Sequence, residues 1–95
     1  MIFEWNDEKN KANVRKHGID FETAAYVFND ENRIEYFDIA HSVFEDRYIT
    51  IGEIEEVLIV IVVVYTERDD AMRIISARKA TNQERRAYYE YTQRY

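Results

Sequence analysis

The sequence contains no cysteine, and its only histidines are His17 and His41. The absence of cysteine excludes a disulfide framework, a thiol nucleophile and a thiolate metal site, and it fits a reducing compartment. A structural zinc site needs about four nitrogen or sulfur ligands, which two histidines far apart in the chain do not supply. We therefore expect no metal and no other cofactor.

Proline is also absent, and the 95 residues include only two glycines. The chain shows no linker, repeat or low-complexity segment. Its length is sufficient to close one hydrophobic core but too short for two ordinary domains. We predict a single ordered domain over residues 1–95.

No apolar run is long enough to cross a membrane as a helix. The longest is Val57–Tyr65, whereas a membrane-spanning helix needs about 20 residues. This run is interpreted as a buried strand. The first residues show neither the basic start nor the apolar stretch of a signal peptide, so the expected location is cytoplasmic, without a membrane partner.

Local signals predict a short first strand at residues 2–5 and then two helices. Asn6 can cap the first helix, which is expected to end at His17 because Gly18 can adopt the left-handed conformation that follows many helices. Asp20 can cap the second helix. Its apolar positions share one face and are Phe21, Ala24, Ala25 and Phe28.

Four strands and a last helix are predicted to follow. The strands are expected at 33–39, 47–51, 57–65 and 72–78, with a turn at 52–56. The strand at 57–65 is apolar on both faces, which places it at the centre of the sheet. Thr81 and Glu84 form a capping box that opens a helix, whose Tyr88, Tyr91 and Tyr95 are expected to pack on the sheet. The order β-α-α-β-β-β-β-α predicts an α+β fold with a largely antiparallel sheet.

Net charge is −6, but its distribution is uneven. Residues 1–67 contain six Lys and Arg against 15 Asp and Glu, whereas residues 68–95 contain seven against four. Phosphates favour basic surfaces, so the positive C-terminal part is typical of a protein that handles RNA. The alternative is an ordinary solvated helix on which basic residues happen to cluster.

The first candidate site is the junction between the last strand and the last helix. Strand alternation predicts that Arg73 and Arg78 point to opposite faces. Arg78, Lys79 and the amides after Thr81 can hold a phosphate together, because a helix N-terminus carries free N–H groups and partial positive charge. Further positive charge is expected from Arg85 and Arg86.

Candidate proton-transfer and charge-stabilising groups lie elsewhere in the chain. Lys16 and His17 end the first helix, where a histidine can act as acid or base or can simply terminate the helix. Glu67 and Arg68, at the predicted hairpin, are expected to lie next to the phosphate site, or to be an ordinary surface ion pair. No glycine-rich phosphate loop and no GxSxG motif is present, which argues against nucleotide hydrolysis and serine-type catalysis.

Several blocks of residues resemble the BrnT toxins of bacterial and archaeal type II toxin–antitoxin modules. The resemblance spans nearly the whole chain. Its blocks are Phe3-Glu4-Trp5, Lys9, Asn13, Lys16-His17-Gly18, Phe21-Glu22, Ala24, Val27-Phe28, Asp46-Arg47-Tyr48-Ile49-Thr50-Ile51-Gly52, Thr66-Glu67-Arg68, Arg73-Ile74-Ile75-Ser76-Ala77-Arg78-Lys79-Ala80-Thr81, Glu84-Arg85 and Tyr88.

The resemblance implies a compact RelE-like fold and a ribonuclease that arrests translation. It also implies neutralisation by a small BrnA antitoxin of ribbon-helix-helix type. In that arrangement the antitoxin dimer binds DNA and the complex represses its own operon, so the toxin reaches DNA only indirectly.

The leading hypothesis is a metal-independent endoribonuclease toxin. Arg68 and Arg78 are the expected phosphate stabilisers and His17 or Glu67 the proton-transfer group. The expected RNA contacts are Lys16, Arg73, Lys79, Arg85 and Arg86. The alternatives are a non-catalytic protein-binding module or degenerate toxin with the same fold, and a regulatory domain that binds RNA without cutting it.

Overall fold

In the computed structural model, which describes residues 1–92, three α-helices pack against one five-stranded sheet. The strands are β1 (Ile2–Glu4), β2 (Ile34–Phe37), β3 (Arg47–Ile54), β4 (Ile59–Arg68) and β5 (Ala71–Lys79). The helices are α1 (Asp7–His17), α2 (Phe21–Ala25) and α3 (Asn82–Thr92), and 3₁₀ turns cover Tyr26–Asn29 and Ile39–His41. The predicted α+β class and element order are confirmed.

Capping side chains set the limits of the first two helices as predicted. Asn6 Oδ1 accepts a hydrogen bond from the Lys9 amide at 3.0 Å, and Asp20 Oδ1 accepts one from the Thr23 amide at 2.7 Å. Gly18 ends α1 with φ +73°, and its amide donates to the Val14 carbonyl at 2.8 Å. The second helix is shorter than predicted, because the chain tightens into the 3₁₀ turn after Ala25.

The sheet order is β1-β5-β4-β3-β2. Strands β2 to β5 form the predicted antiparallel meander, and β1 pairs in parallel with β5. Strand β4 lies at the centre and is largely buried on both faces, as its apolar run predicted.

Each face of the sheet carries its own buried cluster. On one side α1 and α2 pack against the sheet, and this α1–α2 face includes Phe21, Val63 and Ala77. On the other side α3 places Tyr88 against Ile51 and Val62, which defines the α3 face. Residues that pair across a sheet point to the same side. The strand register therefore assigns each of the remaining strand residues to one of these two faces.

A β-bulge makes the predicted alternation of β5 wrong. Val64 pairs with Ser76 but Tyr65 pairs with Ile74, which leaves Ile75 as an extra residue. Ile74 and Ala77 therefore both lie in the α1–α2 cluster. Arg73 pairs with Thr66 and Arg78 with Val62, so both arginines lie on the α3 face rather than on opposite faces.

Gly52 lies inside β3, where a turn was predicted. The turn comes later, at residues 55–58, and Gly52 pairs with Ile61. A Cβ at Gly52 would lie 2.8 Å from Val27 Cγ2 and 3.0 Å from Arg33 Cβ. Only glycine leaves room for the Tyr26–Asn29 turn to approach the strand this closely.

We expect Gly52→Ala to lower the free energy of unfolding by about 2 kcal/mol, because the added methyl group overpacks this contact. Gly18→Ala is the comparison: no atom lies within 4 Å of its Cβ position, and only its φ of +73° is strained, at a cost of about 1 kcal/mol. Urea unfolding followed by circular dichroism measures both. Wild-type stability in Gly52→Ala would contradict the expectation.

The tyrosine stripe on α3 is only partly as predicted. Tyr88 is buried against the sheet, whereas Tyr91 is 57% exposed. Tyr95 lies outside the described residues.

Candidate functional site

Arg78 is held by a carboxylate of α3. Its Nη1 and Nη2 donate to the two carboxylate oxygens of Glu84 at 2.8 and 2.9 Å. This two-point pairing is the strong geometry of a guanidinium with a carboxylate. A phosphate at Arg78 must therefore compete with Glu84.

The same carboxylate closes the start of α3. The Thr81 amide donates to Glu84 Oε1 at 2.8 Å, and the Glu84 amide donates to Thr81 Oγ1 at 3.1 Å. The predicted capping box is thus confirmed. At this helix start the Glu84 carboxylate occupies Arg78 and the Thr81 amide, while Thr81 Oγ1 occupies the Glu84 amide, so a phosphate would have to displace these contacts.

The Arg78 hydrogen bonds are the main reason that the pKa of Glu84 falls from 4.5 to about 2, and hydrogen bonds from Thr81 add to this. A lowered carboxyl pKa stabilises the fold above the unfolded value, and this contribution is lost as the pH falls from about 4.5 to about 2. Glutamine can still complete the capping box. Glu84→Gln therefore removes the charge while keeping the cap.

We expect Glu84→Gln to be less stable than the wild type by about 1 kcal/mol at neutral pH, since both partners are partly exposed to screening solvent. The difference should shrink towards zero near pH 2. Urea unfolding at several pH values measures it. Glu90→Gln, an exposed position on the same helix, is the control; a pH-independent difference for Glu84→Gln would contradict the assignment.

Lys16 and His17 lie at the same end of the sheet as Arg78. Glu4 of β1 pairs with Arg73, and Asn13 of α1 hydrogen-bonds to Ala77, so α1 runs along the β5 edge towards Lys79. His17 is one turn beyond Asn13 on that side of the helix. Of the other predicted RNA contacts, Lys79, Arg85 and Arg86 are exposed here.

Charged residues from several strands lie in register at the opposite end of the α3 face. Arg47 of β3 pairs with Thr66 of β4, which pairs with Arg73 of β5, which pairs with Glu4 of β1. These four residues form a row across the sheet, which we call the charged row. Neighbouring strands lie about 5 Å apart, so Arg47 and Arg73 flank Thr66 closely.

Arg68 joins this row from the end of β4. Two residues beyond Thr66, it lies on the same face, and its Nη2 donates to Glu45 Oε2 at 2.8 Å. The pKa of Glu45 is lowered by this hydrogen bond and also by the charges of Arg68, Arg47 and Arg73. Arg68 therefore contacts this carboxylate, and Arg47 and Arg73 lie near enough for their charges to act on it. We call Arg47, Arg68, Arg73 and Glu45 the hairpin-end cluster.

The expectation that Glu67 and Arg68 lie next to the candidate phosphate site at Arg78 is wrong. Arg78 pairs with Val62, six positions from Arg68 along β4, and this separation corresponds to roughly 20 Å. Glu67 pairs with Met72 on the α1–α2 face, where its charge acts on Tyr65. Arg68 and Glu67 therefore point to opposite sides of the sheet.

Arg47 was missed as a site residue. In the sequence it only begins a predicted strand and belongs to one of the resemblance blocks, and the other two arginines of the cluster are far from it in the chain. Its Nε is buried and has no hydrogen-bond partner within residues 1–92. The position of Arg47 relative to Arg73 depends on how three strands pair. The spacing of residues along the sequence does not predict that pairing.

Within the described part of the chain, no three His, Cys, Asp or Glu side chains are grouped so that they could hold a metal ion. Over the same residues, no helix has both the length and the apolar character needed to cross a membrane.

Residues 5–84 match the family model described as the ribonuclease toxin, BrnT, of type II toxin–antitoxin systems. The chain belongs to this family. BrnT membership places it among the ribonuclease toxins of type II modules, which confirms the resemblance inferred from the sequence. No individual curated protein matches the chain.

The BrnT match includes the whole hairpin-end cluster and the Arg78–Glu84 pair, whereas Arg85, Arg86 and the rest of α3 follow it. The side of this BrnT chain beside the Tyr26–Asn29 turn is acidic instead. A cavity of about 600 Å³ there is lined by several carboxylates, from Asp30, Glu31, Glu53, Glu55 and Glu56. Phosphate groups are repelled from such a surface.

Proposed function

We propose that this BrnT chain is a metal-independent endoribonuclease that arrests translation by cutting RNA. The hairpin-end cluster is the observation that carries the proposal. Its three arginines come from β3, β4 and β5 and lie on one face at the same end of the sheet, where Arg68 contacts Glu45 and the charges of Arg47 and Arg73 act on the same carboxylate. A RelE-like fold, which the family resemblance implies, stays a prediction.

The cluster has the chemistry needed to bind a phosphodiester. Guanidinium groups bind carboxylates and phosphates in the same forked geometry, so Glu45 marks where phosphate oxygens can lie. Arg68 and Glu45 are both partly exposed, which lets an incoming phosphate exchange with the carboxylate. Fixed cations would then stabilise the negative charge that grows on the phosphate during cleavage.

The remaining predicted contacts extend the RNA path beyond the cluster. Lys16, Lys79, Arg85 and Arg86 stay predicted contacts with the RNA backbone, at the far end of β5 and on α3. A single strand of several nucleotides can reach from one end of the sheet to the other. The role of Arg78 as a phosphate stabiliser, and of His17 or Glu67 in proton transfer, also stays a prediction.

The antitoxin is proposed to be a BrnA-like protein of ribbon-helix-helix type, which links the toxin to DNA only indirectly. The acidic side of the chain supports the idea that RNA and the antitoxin bind different surfaces. RNA is repelled from the carboxylates around the 600 Å³ cavity, while a protein partner with basic residues is attracted to them.

Inducible expression tests the proposal together with a purified assay. Expression should stop growth and cause RNA decay, and the purified chain should cut RNA equally well with and without a chelator. Co-expression of a BrnA-like antitoxin should restore growth. Loss of cleavage on chelation would contradict metal independence.

The second candidate is a non-catalytic binding module or degenerate toxin. One observation favours it: Arg68, Arg73 and Arg78 each have an internal carboxylate partner, namely Glu45, Glu4 and Glu84. Intact growth and intact RNA on expression of the wild type would support this candidate over the nuclease.

A further inference from the structure

The second histidine, His41, is hydrogen-bonded to a carboxylate, an arrangement that is common in catalytic sites. Neither the family match nor the sequence motifs give this residue a role. We propose that His41, in place of His17 or Glu67, is the proton-transfer group of this ribonuclease and that Asp38 orients it. The inference rests on the proposed nuclease function and deepens it. It places the reacting RNA bond between the His41 loop and the hairpin-end cluster.

The two side chains form a dyad in which the second ring nitrogen has no hydrogen-bond partner among residues 1–92. His41 Nδ1 lies 3.0 Å from Asp38 Oδ2 and 3.2 Å from Oδ1. An ionised carboxylate only accepts hydrogen bonds, so Nδ1 carries the proton and Nε2 of the neutral ring keeps its lone pair. Asp38 is 12% exposed and His41 68% exposed, so the orienting group is sheltered while the ring reaches solvent.

Hydrogen bonds attach the segment from Asp38 to Ser42, which carries the dyad, to the first residue of β3. The Asp38 amide donates to the Arg47 carbonyl at 2.8 Å, and the Arg47 amide donates to Ser42 Oγ at 3.0 Å. Ser42 Oγ in turn donates to the Asp38 carbonyl at 2.6 Å. These bonds tie the residues on both sides of His41 to the arginine that begins the charged row.

The register places the dyad beside the arginines. Phe37, the last residue of β2, pairs with Tyr48, and the Asp38 amide donates to the Arg47 carbonyl, so Asp38 lies opposite Arg47. Alternation along the chain puts Asp38 on the α3 face. Asp38 thereby extends the charged row by one position, with Arg47, Thr66 and Arg73 following in order. By contrast, Glu67 lies on the other face and His17 at the far end of β5, which leaves His41 as the histidine next to the cluster.

An aromatic surface lies in the same loop. Phe44 is fully exposed, three residues after His41 and next to Glu45 of the cluster. A base of single-stranded RNA can stack on such a ring, which would hold the nucleotide beside the dyad.

The reaction that fits this arrangement is transesterification by the 2′-hydroxyl group. His41 Nε2 accepts the proton of the 2′-hydroxyl as its oxygen forms a bond to phosphorus, and the bond from phosphorus to the 5′-oxygen breaks. The leaving 5′-oxygen takes a proton from water, and the resulting hydroxide takes the proton held by His41. The products are a 2′,3′-cyclic phosphate and a 5′-hydroxyl end.

The test compares wild type, His41→Ala, Asp38→Ala and Val43→Ala on an end-labelled single-stranded RNA, with and without programmed ribosomes. His41→Ala should lower kcat by about 100-fold with little change in KM, and added imidazole should restore part of the rate. Asp38→Ala should lower kcat while His41 is present. Val43→Ala, exposed in the same loop, should cleave at the wild-type rate.

The outcomes separate this inference from the proposed function. A wild type that cleaves RNA together with an equally active, folded His41→Ala would overturn the dyad and leave the nuclease standing. Loss of activity that imidazole does not restore would show a structural role and would also overturn it. If the wild type leaves RNA intact in both arms, the proposed function fails and the dyad with it.

Discussion

Arg73→Ala is expected to lower the rate of RNA cleavage by about 100-fold or more, the loss typical of removing one group that stabilises transition-state charge. Arg73 lies in the middle of the charged row, and its partner Glu4 is 3.6 Å away, a weaker pairing than that of Arg68 with Glu45. Its guanidinium is therefore the easiest of the paired arginines to release for a phosphate. Cleavage of end-labelled RNA and growth after induction measure the effect.

Lys11→Ala is the matched control for the loss of one positive charge. Lys11 is exposed on α1, and over the described residues 1–92 its ion pair is with Glu8, one turn away, at 3.7 Å. The Lys11→Ala variant should cleave at the wild-type rate. The rate of Arg73→Lys should lie between those of Lys11→Ala and Arg73→Ala, because lysine keeps the positive charge but cannot bind a phosphate through two N–H groups as arginine does. Equal activity of Arg73→Ala and Lys11→Ala would remove the hairpin-end cluster from the mechanism.

Asn13→Ala is expected to lower the free energy of unfolding by about 3 kcal/mol, since it leaves several buried backbone groups without partners. Asn13 is 7% exposed. Its Nδ2 donates to the carbonyls of Ile19 and Ala77, both at 2.8 Å, and its Oδ1 accepts from the Ala77 amide at 3.1 Å. The side chain thus joins α1 to the backbone of β5 beyond the end of β1.

Urea unfolding of Asn13→Ala beside Lys11→Ala measures this loss on one helix. The exposed Lys11 position should change stability by less than about 0.5 kcal/mol. A loss below about 1 kcal/mol for Asn13→Ala would mean that water satisfies the freed backbone groups equally well.

Features decided by neighbours in the chain could be predicted from the sequence. The caps at Asn6, Gly18 and Thr81 each join residues within four positions of one another, so spacing alone reveals them. Composition likewise placed β4 at the centre of the sheet. The family resemblance was readable for the same reason, because its blocks are short and ordered.

Features decided by strand pairing could not be predicted. The extra residue Ile75 reverses which face Arg73 occupies, and only the β4–β5 register shows it. The prediction that Arg68 lies next to Arg78 was wrong because Arg68 is beside the β4–β5 turn, whereas Arg78 is near the open end of the same hairpin. The number of residues between them in the sequence does not show this.

The sequence by itself determined the element order, the helix ends and the uneven charge, since each depends on local spacing and composition. Tertiary structure alone decided which charges meet. Glu45 reaches Arg68 across 23 positions of chain, and Arg47 reaches Arg73 through the pairing of three strands. Such contacts follow from backbone hydrogen bonding across the sheet, which no single segment encodes.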